Sequence, residues 1–96
     1  MADDRGFDML VAVVGDGEAE LVMQAAKEAG ASGGTIISAR GTGSPNSKKD
    51  IVLILTSNAK RQGILQAISF GADLNSDGRG IAFSVPVDDV VGIISI

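Results

Sequence analysis

The chain alternates between short apolar runs and stretches with helical spacing, and the changes of period divide it into six elements. Phe7 to Val14 (FDMLVAVV) is a β-rich run that stops at Gly15-Asp16-Gly17. From Glu18 the period changes: Leu21, Val22, Ala25, Ala26 and Ala29 share one helical face, with Glu18, Glu20, Lys27 and Glu28 largely on the other. Gly17 is placed to act as N-cap, with Glu20 three residues on, and Gly30 as the stop. Thr35 to Arg40 (TIISAR) reads as a second strand, entered through Gly33-Gly34. Gly41 to Lys49 holds two Gly, one Pro, two Ser and an Asn, which predicts a loop. Asp50 to Thr56 (DIVLILT) is a third strand, apolar enough to need cover on both faces. Ser57-Asn58 then caps a second helix, whose stripe is Ile64, Leu65 and Ile68 and whose end lies near Gly71. Asn75 to Gly80 is a second Gly-rich loop before a fourth strand, Ile81 to Val87. Val90 to Ile96 either continues that strand or forms a short fifth one. Pro86 cannot donate to a ladder, so it marks an edge, a bulge or a strand end.

The two halves echo each other. Asp8 to Val14 matches Asp50 to Thr56, and Ala25 to Ser32 matches Ala67 to Asp73 at the same offset. A strand–helix–strand unit used twice gives βαββαβ, and right-handed crossovers put both helices on one face of a four-stranded antiparallel sheet. The fold class expected is therefore α+β, a ferredoxin-like sandwich. The sheet's other face has no helical cover, and strands this apolar need a partner there, so a homo-oligomer burying sheet faces is expected.

Ninety-six residues make a single domain, 1–96, with 1–6 expected to be a disordered N-terminus. With no His and no Cys, there is no imidazole base, no Ser-His-Asp triad, no thiolate nucleophile and no soft-metal site. A net charge of −4 and aromatics at 3%, all Phe, argue against nucleic-acid binding. No apolar run is long enough to span a membrane, and the polar start is unlike a signal peptide; a cytoplasmic protein without membrane insertion is expected.

The charge is unevenly distributed. Arg40, Lys48, Lys49, Lys60 and Arg61 fall together against one acid, Asp50, and Arg79 lies in the other Gly-rich loop. Gly-rich turns present successive N–H groups, and Lys or Arg adds charge, so this pair of loops suits a small anion; as ordinary solvated turns they carry the same residue types. Gly15-Asp16-Gly17 is half of a dinucleotide fingerprint, but Glu20 stands where the third Gly belongs. No phosphate-binding Gly-Lys-Ser/Thr ending follows Gly43 to Lys49. Asp88-Asp89 reads as a bend rather than an Mg²⁺ pair. A small acyl-phosphate hydrolase on this fold would draw on Arg40 or Arg79 with Asn58 or Asn75; no specific pattern supports it, and a non-enzymatic protein is expected.

Three stretches resemble the PII signal-transduction proteins. Ala29 to Ile37 (AGASGGTII) looks like the family's first-helix end and second-strand entry, Arg40-Gly41-Thr42-Gly43 like the base of its T-loop, and Asp77 to Val90 (DGRGIAFSVPVDDV) like its B-loop and last core strand. The resemblance implies a homotrimer with sheets facing inward, adenine-nucleotide sites between subunits, and a T-loop that contacts an unidentified protein target. It places Thr35 near the adenine, Gly41 and Gly43 around the nucleotide, Arg40 at a basic strand end, and Asp77, Gly78 and Arg79 as the phosphate loop, Arg79 replacing the usual lysine. Ser44, Asn46, Lys48 and Lys49 fall in the partner-binding loop, a short T-loop-like segment at 41–49. No cofactor is implied as tightly bound; AMP, ADP or ATP is the implied ligand. The chain departs from the family's usual pattern in three ways. It has no tyrosine to uridylylate, no basic residue at Ser44, and an uncharged stretch, Val91 to Ile94, where the family offers arginines. Each missing charge-assisted contact costs about 1.5–3 kcal/mol, which favours a mono- or diphosphate over ATP. The function implied is regulatory: sensing an adenine nucleotide or similar small anion in nitrogen regulation, the alternative being an interaction module that has lost nucleotide binding.

Overall fold

The computed structural model describes residues 6–43 and 47–92. Its elements run β1 (Phe7–Gly15), α1 (Ala19–Glu28), β2 (Thr35–Gly41), β3 (Ser47–Ser57), α2 (Asn58–Gly71) and β4 (Gly80–Val87). The strands form one sheet in the order β2-β3-β1-β4, every pairing antiparallel. This is the expected ferredoxin-like βαββαβ arrangement. Pro86 sits on β4, an edge strand, where its missing N–H costs no ladder bond.

Alternation along the central strands assigns the faces. Asp8, Leu10, Ala12 and Val14 of β1 and Asp50, Val52, Ile54 and Thr56 of β3 are buried. They meet Ala19, Val22, Met23 and Ala26 of α1 and Ile64 and Ile68 of α2 in one core. The helices run antiparallel: near the end of α2, Gly71 lies against Ala25 of α1, and near its start Lys60 donates to the carbonyl of Gly30 (3.2 Å). The opposite sheet face is left open, and Ile37, Ile81, Phe83 and Val85 are exposed on it. An apolar face of this size on a lone chain is unfavourable in water.

The boundaries differ from expectation in three places. The loop expected over Gly41–Lys49 is shorter, because β3 begins at Ser47 and pairs Gly41↔Ser47, Arg40↔Lys48 and Ala39↔Lys49. An antiparallel ladder, once in register, extends through polar residues until the chain turns, so Lys48 and Lys49 lie on a strand. The N-cap of α1 is Glu18, not Gly17, and no side chain of its own caps it. Val90 to Gly92 form no strand, and the rest of that segment, 93–96, lies outside the described residues. Of the segment expected to be disordered, residues 1–5 are likewise outside, while the Gly6 carbonyl accepts the Asn58 N–H at 3.0 Å.

Candidate functional site

The register collects the basic residues at one end of the sheet. Gly80 pairs with Val14, Gly15 with Lys49, and Lys48 with Arg40, so the start of β4, the end of β1, the start of β3 and the end of β2 lie side by side. A concavity of 590 Å³ opens there, lined by Asp16, Ser38, Ala39, Arg40, Lys48 and Lys49. Arg40 and Lys48 are exposed and directly opposed across the ladder. Like charges in that position repel. Among the described residues no carboxylate forms an ion pair with Arg40, Lys48 or Lys49.

The turn between β1 and α1 forms one wall of this end. Three of its donors are already taken: Asp50 Oδ2 accepts the N–H of Gly17 at 2.9 Å and of Ala19 at 3.1 Å, and the Glu18 N–H goes to the Gly15 carbonyl at 3.0 Å. The positive end of α1 is thus filled by a buried carboxylate of the protein itself. The start of α1 is not open to an anion, which disposes of the dinucleotide-loop reading on geometric grounds.

Between α2 and β4 the chain makes a compact turn. Asp73 adopts φ 56°, its carboxylate accepts from Ser76 Oγ at 2.9 Å, and Arg79 N donates to the Ser76 carbonyl at 3.3 Å. Gly78 has φ 76° and Gly80 φ 138°; a Cβ on Gly80 would stand 2.4 Å from the Val13 carbonyl, so only glycine lets β4 join β1 here. Arg79, assigned to phosphate binding by the resemblance, is engaged within the chain. Its guanidinium pairs with Glu18 at 2.8 Å and donates to the Ala72 carbonyl at 3.3 Å. Its buried Nε meets no partner among the described residues.

The remaining expected site residues divide in two groups. Gly41 ends β2, Gly43 follows it in the bend, and Asp77 and Gly78 lie in the turn before Arg79. All four belong to the loop-bearing end. Ser44 and Asn46 fall outside the described residues. Thr35 is elsewhere: it opens β2 beside a separate hollow of 400 Å³ with Met9, Ser32, Gly33, Gly34, Leu53 and Leu55. Its row across the sheet is Thr35–Leu53–Val11–Phe83, three residues from the Gly80 row. At about 4.8 Å per strand spacing and 3.3 Å per residue, Thr35 and the start of β4 are roughly 17 Å apart in one chain. Asn58, the hydrolase candidate, is at the opposite sheet end, bonded to Asp8. The residues that reading the sequence did not assign to the site are Asp16, Ser38 and Glu18. Ser38 was hidden inside a strand pattern, while Asp16 and Glu18 were visible as turn and capping residues but not as neighbours of the cations.

The nitrogen regulatory protein P-II family model matches residues 7–95. The chain belongs to the P-II family. Among solved structures it is similar to Arabidopsis thaliana PII bound to citrate, at 26% identity and a TM-score of 0.80 over 94% of this chain and 85% of that one. A search of curated proteins gives no match. The P-II proteins are regulatory rather than catalytic, and they generally act as trimers that bind small effectors and protein targets. No helix among the described residues is long and apolar enough to cross a membrane.

Proposed function

We propose that this P-II family member is a non-enzymatic homotrimer that senses an adenine nucleotide, or a similar small polyanion, in clefts between subunits and signals to a protein target through its loops. The observation that carries the reading is the Arg40–Lys48 opposition, joined by Lys49 at the mouth of a 590 Å³ concavity. Among the described residues no carboxylate pairs with these three cations, and a bound phosphate or carboxylate would relieve their mutual repulsion. The solved relative holds citrate, a small polyanion, which is the same ligand chemistry. The open sheet face supports the trimer, since stacking sheets would bury Phe83 and Val85 and bring Thr35 of one copy toward the loop end of another. In this reading Arg40, Gly41, Gly43, Lys48 and Lys49 hold the phosphates, Asp77 to Arg79 close over them, and Thr35 supports the base. Ligand binding orders the loops, and that change reports occupancy. Cytoplasmic location is part of the proposal.

The internal engagement of Arg79 favours one alternative: an oligomeric interaction module that no longer binds nucleotide. Calorimetric titration with AMP, ADP and ATP, with and without Mg²⁺, separates the two. Micromolar binding that weakens tenfold or more in Arg40→Ala and Lys48→Ala supports the sensor. No heat from any of the three nucleotides, from folded trimer, supports the module.

A further inference from the structure

Among the described residues, the one carboxylate that pairs with a cation at the loop-bearing end is Glu18, and the cation it reaches is Arg79. Both side chains are partly open to solvent, at 26% and 35%, so the pair can be approached from outside. Glu18 also lies over the end of β1: a Cβ placed on Gly15 would sit 3.7 Å from Glu18 Cγ. Gly15 is the register partner of Lys49. The ion pair therefore stands at the end of the Ala39–Lys49–Gly15 row, one residue from the Arg40–Lys48 pair, with Arg79 two strand spacings, about 10 Å, from Lys49. One nitrogen of the guanidinium meets both Glu18 and the Ala72 carbonyl, while the buried Nε has no acceptor among the described residues. A planar, five-donor group satisfied on one edge only is a poor end state for Arg, which favours bidentate partners.

We propose that Glu18 is a built-in competitor for Arg79: its carboxylate occupies the guanidinium in the ligand-free protein, and an incoming phosphate must displace it. Glu18 is then a selectivity-setting residue that acts through Arg79, weakening anion binding overall and demanding a ligand with enough charge to win the exchange. Displacement frees Arg79 to turn toward the cleft lined by Arg40, Lys48 and Lys49, and it releases the α1 start from the Ala72–Gly80 turn. The inference rests on the reading that this end takes an anion.

The test is calorimetric titration of ADP and of pyrophosphate into the intact oligomer, comparing the wild-type chain with Glu18→Gln, which keeps the shape and removes the charge. Binding should tighten five- to tenfold in Glu18→Gln. Glu20→Gln removes the same charge from an exposed position in the first turn of α1, outside the cation cleft, and should give less than a twofold gain, which distinguishes exchange at Arg79 from a general change of field. In an Arg79→Gln background, Glu18→Gln should give no gain, because the effect passes through the guanidinium. Thermal unfolding of each variant verifies the fold, and Arg79→Met, which is also uncharged, replaces Arg79→Gln if the latter does not fold. Binding that is unchanged in Glu18→Gln, or that tightens equally in Glu20→Gln or in the Arg79 variant, overturns the inference and leaves the sensor reading intact. No binding by either the wild type or Glu18→Gln overturns both. Binding by Glu18→Gln alone supports the competition in its strongest form.

Discussion

The two ends of the sheet are built from the same repeat and do different work. At one end Phe7 pairs with Ser57 and with Val87, and β3 passes into α2 without a loop. At the other, three connections gather: Asp16–Glu18, the hairpin after Gly41, and the turn from Ala72 to Arg79. Each end carries one buried aspartate at the equivalent repeat position, Asp8 and Asp50, and each reaches across to the helix of the other half. Their bonds differ in kind. Asp50 takes two backbone N–H groups at the start of α1. Asp8 takes side chains, the Asn58 amide and the Arg61 guanidinium at 3.2 Å, the latter 41% exposed. A backbone donor cannot turn away to find water, whereas an exposed arginine can. The loop-bearing end is therefore fixed by contacts without an alternative, which is what an exposed cationic site needs beneath it.

Removing the two carboxylates in turn measures how differently the two ends are held. Asp50→Ala leaves the Gly17 and Ala19 N–H groups without an acceptor and should cost about 3 kcal/mol, since charge-assisted bonds contribute roughly 1.5–3 kcal/mol each and orphaned buried donors add to the loss. In a chain of this size that lowers Tm by roughly 15 °C. Asp8→Ala should cost less, about 2 kcal/mol, because Arg61 recovers hydration. Thermal and urea unfolding of both variants at one protein concentration measure the difference. Equal losses would mean that the two ends are held alike. The same pair sharpens the functional argument: Asp50→Ala loosens the wall of the cation cleft and should weaken anion binding, while Asp8→Ala, at the far end, should not.

Much of this was legible from the residues, and the rest failed for identifiable reasons. The repeat Asp8–Val14 and Asp50–Thr56 carried the fold because its alternation and apolar strength match central strands. It also marked the two aspartates as equivalents, but sequence spacing cannot show that each serves the helix of the other half, a contact across more than thirty residues. The Gly17–Glu20 cap failed for that reason: a distant carboxylate had taken the donors. Lys48 and Lys49 looked like loop because polar composition reads the same in a turn and in the exposed start of a hairpin strand. Their closeness to Arg40 was foreseen, their cross-strand opposition was not. Arg79 was visible as a cation in a Gly-rich turn, yet its pairing with Glu18 joins positions sixty-one residues apart and has no local signature.

The smallest effect distinguishes the ends at their helix stops. After α1, at the quieter end, the chain turns at Gly30 with φ 113°. After α2, beneath the loops, it turns at Asp73 with φ 56°, a conformation that L-residues other than Asn and Asp seldom take. Exchanging the residue types should be unequal. Gly30→Asp forces a side chain to a φ well beyond the left-handed helical region and should cost about 1–2 kcal/mol. Asp73→Gly relieves local strain but gives up the bond from Ser76 Oγ and frees the unfolded chain, so these terms nearly cancel, within about 0.5 kcal/mol. Its consequence should appear in mobility instead: the Ser76–Arg79 turn loses its tether, and amide exchange there should accelerate while global stability barely moves. Unchanged exchange in Asp73→Gly would show that Gly78, Gly80 and the Arg79–Glu18 pair hold the turn by themselves. Faster exchange would show that the aspartate is kept in a strained backbone because it shapes the turn that presents Arg79.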